Sequence, residues 1–328
     1  MATLKDVADM AGVTVTTVSR MLNNKVNVSD KTKKKIYEAM EALNYTPNEV
    51  ARSLIMQKSN VIGLIVPSAK NFFFATLIQH IEEYVSAQHY KLLLCVSNLD
   101  KNKENEYFTM LKANRVAGVI LASRTHDVGT LINFKAPIVT IERTLSEDIP
   151  SISSDNYAGG TLAAHHLLEA GCKKLAYIYG SPELDMEANK RFVGFADVLR
   201  KSGAEAPIMI SATEQDFISL SYEPIIETLF RKHPGIDGVF TSNDIIAAQI
   251  LQYCYKNNIK IPEQLKVVGY DDTTFSSLCS PALTSVKQPI PEMCKSAVDY
   301  IIKLSEGEMV PTRVDFPVNL AVRGSSAC

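Results

Sequence analysis

Several things that would betray an enzyme or a membrane protein are missing from this chain of 328 residues. The six cysteines (Cys95, Cys172, Cys254, Cys279, Cys294 and Cys328) are scattered, with no CxxC pair. That spacing excludes a zinc ribbon or a disulfide framework and predicts a reduced, cytoplasmic protein with unpaired thiols. No apolar stretch reaches the length of a membrane span, and Met1-Ala2-Thr3-Leu4-Lys5-Asp6 does not open like a signal peptide. There is no phosphate-binding G-x-x-x-x-G-K, no G-x-S-x-G and no H-E-x-x-H. His165-His166 falls in an amphipathic stretch with Leu162, Leu167 and Leu168, and has no partner at metal spacing. It reads as structural. We expect neither catalysis, metal nor cofactor.

Surplus charge is also missing, since the formal net value is only -2. Its distribution is uneven. Residues 1–58 hold nine Lys+Arg against six Asp+Glu, and the remainder holds 25 against 30. A basic surplus confined to one end suits an anionic partner for that end alone.

That same end has the spacing of two helices joined by a tight turn. Thr3 and Asp6 form a capping-box pattern, with Val7, Ala8 and Ala11 on one face. Gly12 stands where a left-handed residue is needed. Thr14 caps a second helix whose Val18 and Leu22 point inward, leaving Val15, Thr16, Ser19 and Arg20 outward. A helix with that face fits a major groove. Arg20 suits a guanine edge, and Val15 and Thr16 suit thymine methyls or other base edges. Ser29-Asp30 opens a third helix, with Ile36, Met40 and Leu43 closing a small core. Its Lys31, Lys33, Lys34 and Lys35 are placed for phosphates or simply for solvent.

Val7-Ala8, Ala11-Gly12-Val13, Thr17-Val18-Ser19-Arg20 and Asn44-Tyr45-Thr46-Pro47-Asn48 resemble the lactose-repressor family of bacterial transcription regulators. The resemblance continues through Asn48-Glu49-Val50-Ala51-Arg52-Ser53-Leu54, which looks like that family's hinge helix. It implies a DNA-reading set of Thr14, Val15, Thr16, Thr17, Ser19, Arg20 and Asn23. It also implies that Leu54 wedges into the minor groove, with Ala51 and Arg52 beside it. So short a segment after Pro47 would not hold as a lone helix, and would order against the groove and a partner hinge.

From Val61 onward, short apolar runs alternate with helix-length segments. The runs are Val61–Val66, Lys91–Val96, Val119–Ala122, Ile138–Ile141, Leu175–Tyr179, Ile208–Ile210, Val239–Thr241 and Val267–Tyr270. This alternation predicts parallel α/β sheets, two series of four strands in two doubly wound lobes, with further crossings near Pro289 and Pro317. It resembles the periplasmic-binding-protein-like effector domain of the same family. The expected division is a helix-turn-helix headpiece at 1–46, a hinge at 47–58 and an effector-binding, dimerising body at 59–328. Within the body, an N-lobe takes about 59–157 and 290–317, and a C-lobe about 158–289 and 318–328.

In such sheets ligands bind beyond the carboxyl ends of the strands. Phe73, Arg143, Asp155, Arg191, Phe217, Asn243 and Asp271 stand near those ends or match family positions. A sugar site needs aromatic faces, here Phe73 and Phe217, and hydrogen-bonding groups, here Arg191, Asn243 and Asp271, with Arg143 and Asp155 as further candidates. Asp244 and Asp272 read as caps rather than ligands.

The expected function is a repressor that binds a pseudopalindromic operator as a homodimer and answers to a small sugar or sugar phosphate. A global catabolite regulator controlled by a phosphorylated carrier protein is the alternative. A sugar-transport binding protein is disfavoured by the headpiece, and the absence of a C-terminal leucine heptad favours a dimer over a dimer of dimers.

Overall fold

The computed structural model describes residues 2–22, 28–45, 59–124, 134–180 and 186–327. Two compact units result, Met1–Ser59 and Asn60–Cys328.

In the small unit, α1 (Leu4–Ala11), α2 (Val15–Leu22) and α3 (Asp30–Ala42) share one core. The Asp6 carboxylate accepts from the Thr3 N–H at 2.7 Å, and the Asp6 N–H donates to Thr3 Oγ1 at 3.3 Å. These bonds satisfy donors that a helix start otherwise leaves orphaned. Gly12 ends α1 at φ +66°, where a side chain would be strained. Thr14 Oγ1 then accepts from the Thr17 N–H at 3.2 Å and starts α2. The inward residues of α2 are Val18 and Met21, with Leu22 only half-buried. On α3, Ile36 and Ala39 are buried, and Met40 and Leu43 pack at the edge.

The large unit contains two six-stranded sheets. The first uses β1 (Val61–Val66), β2 (Lys91–Val96), β3 (Gly118–Leu121), β4 (Ile138–Ile141), β5 (Ser151–Ser154) and β11 (Arg313–Phe316). The second uses β6 (Leu175–Tyr179), β7 (Ile208–Ser211), β8 (Gly238–Thr241), β9 (Lys266–Asp271), β10 (Thr284–Lys287) and β12 (Asn319–Ala321). Their orders are β11-β5-β4-β3-β1-β2 and β12-β10-β9-β8-β6-β7. Every pairing is parallel except β10 with β12.

The expected series of four strands each is therefore corrected to six. Ser151–Ser154, Thr284–Lys287 and Arg313–Phe316 are polar or alternating, and Asn319–Ala321 is only three residues long. None of these looks like an apolar run, and only sheet pairing makes them strands.

Helices cover both faces of each sheet. α4 (Phe72–Ala87) and α12 (Ile290–Ser305) lie on one face of the first sheet and α5 (Lys101–Ala113) on the other. β1 shows how the faces are divided, with Ile62, Leu64 and Val66 in the α4/α12 core and Ile65 in the α5 core. On the second sheet, α6 (Asn156–Glu169) and α7 (Lys190–Ser202) cover one face. α9 (Glu223–Lys232) and α10 (Asp244–Lys256) cover the other, while the short α8 (Glu214–Ser219) and α11 (Thr274–Leu278) follow β7 and β9.

The chain passes between sheets at three places: after β5, after β10, and between β11 and β12. His166 contributes to closure of the tail, with its Nε2 hydrogen-bonded to Ser326 at 2.7 Å.

Helices α6 and α7 touch backbone to backbone. A Cβ on Gly160 would lie 1.8 Å from the Arg191 carbonyl oxygen, and one on Gly194 would lie 2.0 Å from that of Tyr157. No side chain fits there without separating the helices. Gly160→Ala should cost at least about 3 kcal/mol, beyond ordinary overpacking. Denaturant unfolding would check this, with an undiminished midpoint as the contrary result.

Candidate functional site: a helical headpiece and an interlobe cleft

On the headpiece, packing sorts the residues of α2. Val18 and Met21 are consumed by the core, while Thr14, Val15, Thr16 and Arg20 are exposed and Thr17 and Ser19 half-buried. Exposed Val15 is notable, because an apolar residue free at the start of a short helix is available to a thymine methyl. Asn23, Ala51, Arg52 and Leu54 lie outside the described residues.

In the large unit, a cavity of about 380 Å³ opens between the lobes. The N-lobe supplies Asn71, Phe73, Phe74, Arg124 and Glu142, and the C-lobe supplies Arg191, Phe217, Asn243 and Asp271, with Gln288 at the second crossover.

Arg191 is the best-engaged group in it. Nε donates to Asn156 Oδ1 and Nη1 to the Ser242 carbonyl, both at 2.6 Å. Nη2 lies 3.5 Å from Glu142 Oε2, and the guanidinium stands 3.5 Å over the Tyr270 ring. Asn156 and Glu142 are themselves joined, because Asn156 Nδ2 donates to Glu142 Oε2 at 2.9 Å. Glu142 also accepts from the Ser154 N–H at 2.6 Å. An N-lobe carboxylate, a crossover amide and a C-lobe guanidinium thus form one chain.

Phe217 and Phe74 meet edge to face with ring centroids 6.2 Å apart, and the Arg124 guanidinium lies 4.5 Å from the Phe217 ring centroid. Outside the cavity, Phe72 stacks on Phe275 at 4.4 Å. Asn243 caps α10 through Oδ1, which accepts from the Ile246 N–H at 3.0 Å. Its side chain also hydrogen-bonds Tyr222, which lines the same cavity.

Asp271 ends β9 at φ +111°, followed by Asp272 at +48°. Two consecutive residues in that region mark a strained turn that the surrounding fold must enforce. Asp271 Oδ1 accepts from Gln288 Nε2 at 2.7 Å. Burial pushes its pKa up to about 7, although Arg191 and Gln288 oppose the rise. Asp244 is raised too, first by burial and then by Asp271. One of its oxygens accepts from Ser285 Oγ at 2.6 Å, and the other has no hydrogen-bond partner.

Five of the seven residues expected around a ligand therefore line the cavity: Phe73, Arg191, Phe217, Asn243 and Asp271. Arg143 and Asp155 do not. Arg143 points into the N-lobe, where Nη1 donates to Ser123 Oγ at 3.0 Å and Ser123 donates to Glu104. Asp155 caps α6 by accepting from the Ala158 N–H at 2.9 Å. Nor is Asp244 a cap, because Asn243 does that work. Asp272 binds Arg323 at 2.6 Å and Ser276 at 2.9 Å.

Arg124, Glu142, Gln288 and Asn71 were not anticipated. Arg124 follows β3 and Glu142 follows β4, so a full survey of strand ends would have found both. Gln288 follows β10, a strand that does not read as an apolar run, and Asn71 opens the stretch after β1 in which only Phe73 is expected at the site.

A three-helix headpiece with an open second helix, followed by two α/β lobes around a cavity lined by aromatic and charged side chains, defines a DNA-binding regulator carrying a ligand-binding body. The comparisons with known proteins place it more closely. A model of bacterial regulatory proteins of the lacI family matches residues 3–48, and one of a periplasmic binding protein-like domain matches 164–326. The sucrose operon repressor of Streptococcus mutans is 37% identical over 320 residues, 98% of each chain. The ribose operon repressor of Halalkalibacterium halodurans is 36% identical over 324 residues, 98% of this chain and 96% of its own. The lac repressor dimer bound to operator and the anti-inducer ONPF superposes with a TM-score of 0.84 at 25% identity, covering 100% of this chain and 99% of that one. This chain belongs to the lacI family of bacterial regulatory proteins. It is a transcriptional regulator, not an enzyme.

The raised carboxyls have a consequence for stability. A carboxyl whose pKa is higher folded than unfolded stabilises the fold below its unfolded pKa and loses that contribution as pH rises through the folded value. Between about pH 4 and pH 7, Asp271 should make the large unit less stable as pH rises, and Asp244, also raised, should act in the same direction. Asp244→Asn keeps the acceptor for Ser285 and removes the titration. Its melting temperature should fall less than the wild type's between pH 5 and pH 8, and parallel curves would contradict the assignment.

Proposed function

We propose that this protein is a sugar-responsive operon repressor, a cytoplasmic homodimer whose affinity for a pseudopalindromic operator is set by a small neutral sugar in the cleft. One observation carries the ligand reading: cavity-lining residues hold buried polar atoms without partners, Arg124 Nε and Gln288 Oε1, next to flat aromatic faces. Unpaired buried polar groups are costly unless a ligand satisfies them. Phe73, Phe74 and Phe217 offer surfaces for the C–H face of a sugar ring, and Asp271, Asn243 and Gln288 suit vicinal hydroxyls.

Charge favours a neutral sugar over its phosphate. Arg191 is already matched by Glu142 and also faces Asp271, which leaves Arg124 as the one other cation among the lining residues. The volume lies near the small end of the roughly 300–1,000 Å³ typical of ligand pockets, in keeping with a mono- or disaccharide. The named sucrose and ribose repressors support the same class. Dimeric operator binding by the lac repressor supports the DNA side.

On this reading, Val15, Thr16 and Arg20 read bases in the major groove, aided by Thr14, Thr17, Ser19 and Asn23. Leu54 wedges into the minor groove beside Ala51 and Arg52, and two headpieces on a twofold axis set the half-site spacing. The sugar shifts the population of lobe arrangements and with it the DNA affinity.

A thermal-shift screen of D-ribose, sucrose, D-fructose and ribose 5-phosphate, with and without operator DNA, tests the proposal. Stabilisation by a phosphate alone would overturn the neutral-sugar reading. Asp271→Asn, which tolerates the positive φ, should weaken sugar binding by roughly 1.5–3 kcal/mol while operator binding stays measurable. Calorimetric titration decides. Arg20→Ala should lower operator affinity by about 1–3 kcal/mol and relax preference at one base pair, so an unchanged preference in a randomised-operator selection would remove Arg20 from base reading.

A further inference from the structure

We propose that Glu187 is a positioning residue for the effector site: it tethers the start of α7, and so Arg191, to the N-lobe through Thr144 and Arg313 without touching the ligand. Glu187 lies in a 3₁₀ turn, Glu187–Asn189, that leads directly into α7. Its neighbours Met186, Ala188 and Asn189 all line the cavity, as does Arg191 four residues on. The Glu187 side chain turns away from the cavity. Oε1 accepts from Thr144 Oγ1 at 2.8 Å, and Oε2 accepts from Arg313 Nη2 at 3.0 Å and from Lys190.

Thr144 follows β4 and Arg313 begins β11, both in the N-lobe sheet, so the carboxylate bridges the lobes. It is only 7% exposed, whereas the Arg313 side chain is 42% exposed. A carboxylate so buried is held only by good pairing, and losing one partner strands it. Burial alone would raise its pKa, but the hydrogen bonds from Lys190, Thr144 and Arg313 prevail and hold it below the ordinary glutamate value.

The attachment repeats along one short N-lobe segment. Glu142 pairs with Arg191 and Thr144 binds Glu187, while Arg143 between them is locked to Ser123. Residues 142–144 are thus a ledge that holds the 3₁₀ turn through Glu187 and the first turn of α7 through Arg191. Arg313 is braced in its turn by Asp315, with Nε 2.8 Å from Oδ2. Separating the lobes at this ledge breaks the Glu187 contacts together with the Glu142–Arg191 pair. The tether thereby favours the arrangement in which Arg191 faces a bound sugar, and a ligand that needs that arrangement binds more weakly when it is minor.

A double-mutant cycle tests this, using Glu187→Gln, Arg313→Met, the double variant, and Arg313→Lys as the conservative replacement. Calorimetry with D-ribose and with sucrose gives the affinity arm, which rests on the sugar reading above. Each single variant should raise Kd roughly tenfold, and the double variant should be no worse than the worse single. Arg313→Lys should recover most of the loss, and melting temperatures should not follow the Kd order. Unchanged Kd values, or additive losses that track the melting temperature, would overturn the positioning role.

A second arm needs no ligand. Distances between spin labels at exposed positions 112 and 232, one on each lobe, should lengthen in Glu187→Gln and Arg313→Met, and identical distributions would overturn the tether. If neither sugar binds the wild-type chain, the sugar reading fails while this arm still decides the tether.

Discussion

A buried guanidinium governs the large unit. Moving an isolated charge out of water costs several kcal/mol even after the protein relaxes, so Arg191 can stay buried only with its partners in place. Those partners come from different parts of the fold: Asn156 at the first crossover, Glu142 in the N-lobe, and Ser242 and Tyr270 in the C-lobe. The lobes therefore cannot part at the floor of the cleft without leaving a charge poorly matched. The glycine contact between α6 and α7 serves the same end, because only that close approach brings Arg191 to Asn156 and Tyr270.

Around this node the cleft divides into groups already satisfied and groups still waiting. Arg191 and Glu142 are largely committed to each other and to the crossover. Arg124 Nε and Gln288 Oε1 are not, and Asp271 is held on a strained backbone with its pKa raised by burial. A ligand that pairs the second set while resting on the first would sense both lobes at once. That is the structural requirement for a molecule whose binding is to be felt elsewhere in the chain.

Much of this architecture was legible in the residues. Eight apolar runs became strands within a residue or so, six of them because a strand buried on both faces is apolar along its whole length, while β2 and β7 lie at sheet edges and are only partly covered. The four remaining strands were hidden because β12 has only three residues and the others carry Ser, Thr, Lys, Arg or Asp. In the headpiece, the capping box at Thr3, the turn at Gly12 and the cap at Thr14 are local features and could be read locally. Burial of Met21 ahead of Leu22 was not legible, since a shift of one residue around a helix depends on where α1 and α3 lie.

The candidate site divides along the same line. Strand-end position is topological, so Arg191, Asn243, Asp271 and the aromatic pair Phe73 and Phe217 could be picked from the chain. Whether a polar residue at such an end turns toward the cleft or into its own lobe depends on a rotamer and a neighbour. Arg143 has Ser123 within reach and Asp155 has the Ala158 N–H, so both are used up internally. Sequence by itself determined the class, a helix-turn-helix headpiece on a two-lobed α/β body, because periodicity, caps and turns are short-range. Tertiary structure alone decided which charges meet across the lobes, because Glu142, Asn156 and Arg191, or Glu187 and Arg313, lie far apart in the chain and become neighbours only when both sheets are built.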